Sequence, residues 1–231
     1  MGDNSQKVSI LLSVYNAESS IESSIKSILS QTYKNFELLI MDDHSSDKTL
    51  KICEKMRSID SRITLFKNSI NLGLTKSLNI LALNSNGAYI ARQDADDISL
   101  NQRIEKQLTF LKKNKYDAVY SRTFLEGTKQ ISPKITHYLP KKIVIKYKNP
   151  YIHGTLLINR KSLKAVNFYD EDFYYAQDLK LVLDLQKSNF KIGIMNEPLY
   201  ILNTENNISS NNKTQQEYYA NCARKNLNPN G

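Results

Sequence analysis

Val8-Ser-Ile-Leu-Leu-Ser-Val14, followed by Tyr15-Asn-Ala-Glu-Ser-Ser-Ile-Glu-Ser-Ser-Ile-Lys-Ser-Ile-Leu29, is the stretch from which the fold is read. Seven residues with an apolar side chain at nearly every position suit a strand buried on both faces, as strands of a parallel sheet are. Ser19-x-x-Glu22 then reads as a capping box that opens a helix, with Ile21, Ile25, Ile28 and Leu29 along one side. The unit recurs: 36–41, 63–66 and 89–92 read as strands, and 47–59 and Leu74–Leu83 as helices. Strands alternating with helices predict an α/β fold, a mostly parallel central sheet flanked by helices with right-handed crossovers.

Further on the regularity weakens. Ser99-x-x-Gln102 reads as the start of a fourth helix through Leu108 and Leu111, and 118–124 as a strand. Residues 125–150 mix Lys129, Lys134, Lys141, Lys142, Lys146 and Lys148 with Ile131, Ile135, Ile143, Val144 and Ile145, and read as an insertion or substrate-facing segment rather than core. A strand at 156–158, a helix at 178–187 and a strand at 192–195 follow, then a loop from Asn203 and a short helix at 215–224. We read one domain over 1–231: a ligand-binding half over about 1–100, a less regular half over about 101–205, and a tail over 206–231.

Composition narrows the class. A chain of 231 residues with 40% hydrophobic and 24% charged residues, 7 Gly and 5 Pro is neither fibrous nor disordered. Lys and Arg number 32 against 23 Asp and Glu, a net charge of +9 that favours phosphates, nucleic acid or an anionic membrane face as partners. Cys53 falls on a predicted helix beside Leu50 and Met56 and Cys222 is remote, so we expect core thiols in a reducing compartment. The start, MGDNSQK, lacks a secretory pattern, and Gln6 stands where myristoylation wants Ser or Thr. No apolar run reaches the roughly 18 to 20 residues of a membrane span. These features predict a cytoplasmic protein, soluble or peripheral on the inner face of the membrane, in which Asn207-Ile-Ser209 and Asn212-Lys-Thr214 match the glycosylation pattern by chance.

In an open parallel sheet ligands bind beyond the carboxyl ends of the strands. The residues there are acidic: strand one leads into Tyr15-Asn16, strand two into Asp42-Asp43-His44-Ser45-Ser46-Asp47, and the strand at 89–92 into Gln93-Asp94-Ala95-Asp96-Asp97. Carboxylates gathered at one edge repel one another unless a cation or ligand offsets them, and a hard cation such as Mn²⁺ or Mg²⁺ uses one or two carboxylates completed by phosphate oxygens. Asp47 and Asp97 read equally well as helix N-terminal residues. Asp43 and Asp96 stand out because two acidic clusters coincide at two strand ends.

Together, the segments from Val8 to Asn16, from Ser27 to Tyr33, from Phe36 to Asp47, from Asn71 to Thr75 and from Tyr89 to Asp97 resemble family 2 glycosyltransferases with the GT-A (Rossmann-like) fold, over residues 7 to about 200. The resemblance implies an inverting, metal-dependent transferase acting on a nucleotide-sugar, UDP-sugar favoured. It implies that Asp43 binds uracil, that Asp94 or Asp96 contacts ribose, and that Asp96 with Asp97 holds Mn²⁺ or Mg²⁺. Val14, Tyr15, Asn16, Ala95, Asn71 and Lys76 would complete the nucleotide pocket.

Inversion needs a base for the acceptor hydroxyl, while a metal ion can neutralise the departing diphosphate. Tyr175-Ala-Gln-Asp178-Leu matches the family segment that supplies it, so Asp178 is the candidate base, with a plain helix N-terminal carboxylate as the alternative. Gln177 departs from the usual acid, which bears on acceptor binding. Asn149-Pro-Tyr-Ile-His153-Gly-Thr155 resembles the segment on the sugar and acceptor side, so His153 is a candidate contact to diphosphate or acceptor, or a structural histidine. Arg103 reaches phosphate or lies on a solvated helix face.

Ser13-Val-Tyr-Asn-Ala-Glu18 contains no glycine, unlike the phosphate loop of a nucleotidyltransferase. No membrane span and no Trp argue against a processive synthase. The acceptor is expected to be a glycan or lipid-linked sugar of bacterial surface polysaccharide. Competing readings are a non-catalytic nucleotide-sugar binder and a basic membrane or nucleic-acid module. The lysines of 129–148 and 160–164 read as lacking interleaved exposed aromatics, so no nucleic acid is expected and the basic segment is assigned to peripheral inner-membrane contact near an anionic acceptor.

Overall fold

The computed structural model describes residues 6–204 and 212–230; Asn207-Ile-Ser209 falls outside them. The first seven elements are β1 (Val8–Val14), α1 (Ile21–Leu29), β2 (Phe36–Asp42), α2 (Thr49–Ile59), β3 (Ile63–Lys67), α3 (Leu74–Leu83) and β4 (Tyr89–Gln93). Successive side chains of a strand point to opposite faces, and both faces of this sheet are covered. Ile10, Leu12 and Val14 therefore join Ile21, Ile25 and Ile28 of α1 in one core, while Leu11 joins Leu78 and Leu81 of α3 in the other. Ile10, Leu11 and Leu12 are fully buried, each contributing about 2 kcal/mol of apolar transfer free energy.

The remaining elements are β5 (Ile98–Ser99), α4 (Arg103–Asn114), β6 (Ala118–Leu125), β7 (Ile131–Ser132), α5 (Lys141–Val144), β8 (Leu157–Asn159), α6 (Arg160–Ala165), α7 (Gln177–Lys187), β9 (Ile192–Leu202) and α8 (Lys213–Lys225). The strands form one sheet in the order β3-β2-β1-β4-β8-β6-β9-β5, with β7 against β6. β3, β2, β1 and β4 are parallel, as are β6 and β9. β8 runs antiparallel to both β4 and β6, so the second half of the sheet is mixed. This is the α/β sandwich expected, with the strand order reversing beside β1, where such sheets open a ligand crevice.

Four local readings are corrected. Neither helix start is as read: α1 begins after Ser20, not Ser19, and without a side-chain cap, and Ser99 lies in β5, its Oγ donating to Gln93 Oε1 at 2.6 Å. The last strand runs on to Leu202, because Leu199 and Tyr200 are buried beyond the proline that interrupts its pattern. Residues 125–150 are not a plain insertion: β7 pairs with β6, and Val144 and Ile145 of the turn after Pro140 are buried. That segment also exposes aromatics, Tyr138 at 71% and Tyr147 at 81%, beside Ile135, Leu139 and Ile143, contrary to the sequence reading.

The C-terminal helix is longer than the pattern suggested and is docked. Cys222 and Ala223 enter the α3 and α7 core, and Tyr219 packs edge-on against Phe173 and Tyr175. Arg224 donates to the carbonyls of Ile145 at 3.1 Å and Tyr147 at 3.2 Å, and Asn228 donates to Asp172. Cys53 is a buried core thiol, its pKa pushed up to about 12 by burial.

Candidate active site

Asp43 follows β2 and is 2% exposed. Its Oδ1 accepts hydrogen bonds from Asn68 Nδ2 at 2.7 Å and the Leu72 amide at 2.9 Å, and its Oδ2 from the Gly73 amide at 2.8 Å. The carboxylate therefore shapes the loop from Asn68 to Gly73. Gly73 sits at φ +84°, and a Cβ there would come within 2.8 Å of the Tyr174 ring, so this close approach requires glycine. Asn16, at φ 48°, is likewise engaged: its Oδ1 accepts from the Ser46 amide at 2.8 Å and its own amide donates to Ser45 Oγ. Val14 is buried, Tyr15 is 53% exposed, and Asn71 and Lys76 are exposed. Asp47 takes the helix-terminal role, accepting from the amides of Thr49 and Glu18.

The carboxylates after β4 differ in what they touch. Asp94 is ion-paired with Arg92, which is 1% exposed and also donates to the Gln93 carbonyl. The Asp94 amide donates to the Tyr200 hydroxyl at 3.1 Å, and Gly154 makes room for both, since a Cβ there would lie 2.6 Å from Asp94 Oδ2. Asp97 is 2% exposed and its Oδ1 accepts from the Asn203 amide at 2.7 Å. Burial, then the charges of Asp94 and Asp96, push its pKa up to about 8. Through Oδ1 it anchors this loop to the end of β9, and it stands beside Asp96, its expected partner for a cation, in the lining of the same cavity. Asp96 is half-buried and unpaired among the described residues; burial and then the neighbouring Asp94 charge raise its pKa. A cation would relieve that repulsion. No three His, Cys, Asp or Glu side chains among the described residues form a metal-binding group, so a hard cation here would need diphosphate oxygens beside Asp96.

Asp94, Asp96, Asp97, His153 and Asp178 line one cavity of about 1000 Å³. Asp178 stands in the first turn of α7, and its Oδ2 accepts from Asn149 Nδ2 at 2.7 Å. Burial raises its pKa, against hydrogen bonds from the Leu179 amide and Asn149 that favour the charged form. Asp43 does not line this cavity: it lies behind the wall, held to Gly73, whose neighbour Leu74 is in the lining. His153 Nε2 lies 2.8 Å from the Tyr169 hydroxyl, and burial, with the Arg92 charge, lowers its pKa to about 3, so its imidazole is neutral.

Arg103 is not on a solvated face, and it does not line the cavity. It is fully buried, donating to the carbonyls of Gly154 at 2.6 Å and Arg92 at 2.8 Å, with burial lowering its pKa to about 10. It ties α4 to the back of the cavity wall. Sequence reading missed Arg92, Asn149, Tyr200 and the residues of α8 that line the cavity. Of these only Arg92 and Asn149 carried a signal, as a charge in an apolar strand and a polar residue opening the segment that ends at Thr155.

The sequence profile of Glycosyl transferase family 2 matches residues 9–166. An Escherichia coli relative, UDP-Glc:alpha-D-GlcNAc-diphosphoundecaprenol beta-1,3-glucosyltransferase WfgD, is 35% identical over 186 residues, which cover 79% of this chain and 70% of that protein. Among solved structures, S. aureus TarS 1-349 in complex with UDP-GlcNAc superposes with a TM-score of 0.73 at 20% identity, over 89% of this chain and 61% of that one. The Pyrobaculum calidifontis mannosyltransferase PcManGT in complex with GDP-Man and Mn2+ gives 0.75 at 16% identity, over 95% of this chain and 64% of that one.

Proposed function

Because the chain belongs to glycosyl transferase family 2, we propose that it moves a sugar from a UDP-sugar, with inversion, to a hydroxyl of a lipid-linked or glycan acceptor in surface polysaccharide synthesis. The observation that carries this reading is the sharing of one cavity by Asp96, from the end of β4, and Asp178, from the start of α7. A volume of about 1000 Å³ suits a nucleotide-sugar together with part of an acceptor.

Asp178 is the base in this reading. A carboxylate whose pKa is raised by burial takes a proton better than an ordinary one, and Asn149 fixes its orientation. Asp96 is the residue that would hold Mn²⁺ or Mg²⁺; when bound, such an ion neutralises charge on the departing diphosphate. Asp94, held by Arg92, faces the ribose, and Asp43 supports the base pocket through the loop from Asn68 to Gly73. Val14, Tyr15, Asn16, Ala95, Asn71 and Lys76 belong to that nucleotide side, and neutral His153 to the diphosphate or acceptor side.

A donor named in WfgD as UDP-Glc and a ligand named in TarS as UDP-GlcNAc support the uridine preference, and the diphosphoundecaprenol in the former name supports a lipid-linked acceptor. No helix among the described residues is long and apolar enough to cross a membrane. Contact with an anionic inner membrane face is instead assigned to 134–148, where Lys134, Lys142 and Lys146 are exposed with Ile135, Leu139 and Ile143. Tyr138 and Tyr147 are exposed among them, so the preference for a lipid surface rests on the aliphatic Ile135, Leu139 and Ile143 interleaved with the lysines.

A panel of UDP-, GDP- and dTDP-sugars with and without Mn²⁺ tests the reading. UDP-sugar turnover that depends on the cation, and falls about a hundredfold in Asp96→Ala, is the expected result. Equal activity with all three nucleotides, or none with any, contradicts it.

A further inference from the structure

One wall of the cavity comes from α8, which lies outside the residues matched by the family profile. Lys213, Gln216, Glu217, Ala220, Asn221 and Arg224 line it, a spacing of three and four residues that defines one helix face. An amphipathic helix normally turns its polar face to bulk water. Here Cys222 and Ala223 enter the core, Tyr219 packs against Phe173 and Tyr175, and a polar stripe faces the hollow that Asp178 shares.

The side chains of that stripe are not used to hold the helix in place, apart from Arg224, which donates to the Ile145 and Tyr147 carbonyls. Gln216 and Glu217 have no side-chain partner among the described residues, and Asn221 accepts only a 3.5 Å contact from Arg224. Two amides and a carboxylate on one helix face offer both donors and acceptors, the complement of a ring of hydroxyls. Exposed Tyr174 on the same lining adds a flat apolar surface for a sugar ring.

We infer that the cavity face of α8 is the acceptor subsite, in which Gln216, Glu217 and Asn221 hydrogen-bond the hydroxyls of the acceptor saccharide and position it against Asp178. The inference rests on the transferase reading above and assigns its acceptor specificity to the C-terminal helix. Discrimination comes from these buried-on-binding polar groups, because an acceptor with a misplaced hydroxyl leaves them unpaired.

The test uses the full chain, UDP-glucose, UDP-galactose and UDP-N-acetylglucosamine as donors, and undecaprenyl-diphosphate-linked mono- and disaccharides as acceptors. With the pair that the wild type turns over best, Gln216→Ala, Glu217→Gln and Asn221→Ala should each raise acceptor KM about tenfold or more. Donor KM, UDP binding and thermal unfolding should stay unchanged, a split that a merely structural role for the helix would not give. A relaxed choice among acceptors in the Glu217→Gln variant adds support. Unchanged acceptor KM in all three variants overturns the subsite while leaving the transferase reading intact. Failure of the wild type with every donor and acceptor overturns both.

Discussion

Two walls of one cavity are built in different ways. The wall that ends in Asp94 and Asp96 grows from four parallel strands, and most of its carboxylates are fixed by neighbours, Asp94 by Arg92 and Asp97 by the Asn203 amide. Asp43 is held by three donors behind it, and Asp96 is left without an ion pair among the described residues. The opposite wall is made from the start of α7, the segment after Asn149 and α8, where Gln216 and Glu217 lack partners among the described residues. The family profile covers the first wall and stops at residue 166, before α7 and α8. A nucleotide diphosphate presents the same groups to every enzyme that uses it, whereas acceptors differ. In the proposed reading, a donor wall fixed by the sheet and a polar acceptor wall with side chains on α8 free among the described residues answer that asymmetry of ligands.

The comparison breaks most visibly at Asp178. Asp178→Asn should lower kcat about a thousandfold, the scale of a lost general base, while UDP affinity by calorimetry is unchanged. Loss of UDP binding in the same variant would mean that the two walls are not separable. Asp43→Ala should act in the opposite sense, on the fold first: three donors lose their acceptor, costing about 2 to 3 kcal/mol, read as a fall in Tm of roughly 5 to 10 °C. A variant of unchanged Tm with lost UDP affinity would instead make Asp43 a direct reader of the base.

Smaller effects sharpen the picture at its edges. Lys142→Glu with Lys146→Glu should weaken co-sedimentation with anionic vesicles several-fold, an effect that 0.5 M salt reproduces in the wild type. Binding that ignores salt argues against this assignment. The subtlest effect is in pH. Burial raises the Asp178 pKa, so its charged, basic form appears as pH rises through a value above the ordinary carboxylate range near 4, and kcat rises with it. Asn149→Ala removes a donor that favours the charged form and should move that rising limb to higher pH.

How much of this could be read beforehand follows the same division. Continuous apolar strands such as Val8–Val14 and periodic helices announced the donor wall, because burial on both faces leaves a local signature. Asp96 and Asp178 were legible as carboxylates at element ends. The partners of Asp97 and Arg103, the Asn203 amide and the carbonyls of Arg92 and Gly154, were not legible because they are backbone groups that become neighbours only once the sheet has formed. The stripe on α8 was illegible for a related reason: its spacing is that of any surface helix, and only docking through Tyr219, Cys222 and Ala223 turns it toward the cavity. The exposed Tyr138 and Tyr147 escaped notice because charge-rich segments give no periodic cue to which aromatics face outward.

The central claim is that Asp96 and Asp178 serve one reaction from facing walls. Diffraction from crystals grown with UDP and Mn²⁺, collected for the anomalous signal of manganese, tests it directly. The account predicts a manganese peak coordinated by Asp96 and the UDP diphosphate, inside the cavity that Asp178 lines. A peak away from Asp96, or UDP bound outside that cavity, would contradict it.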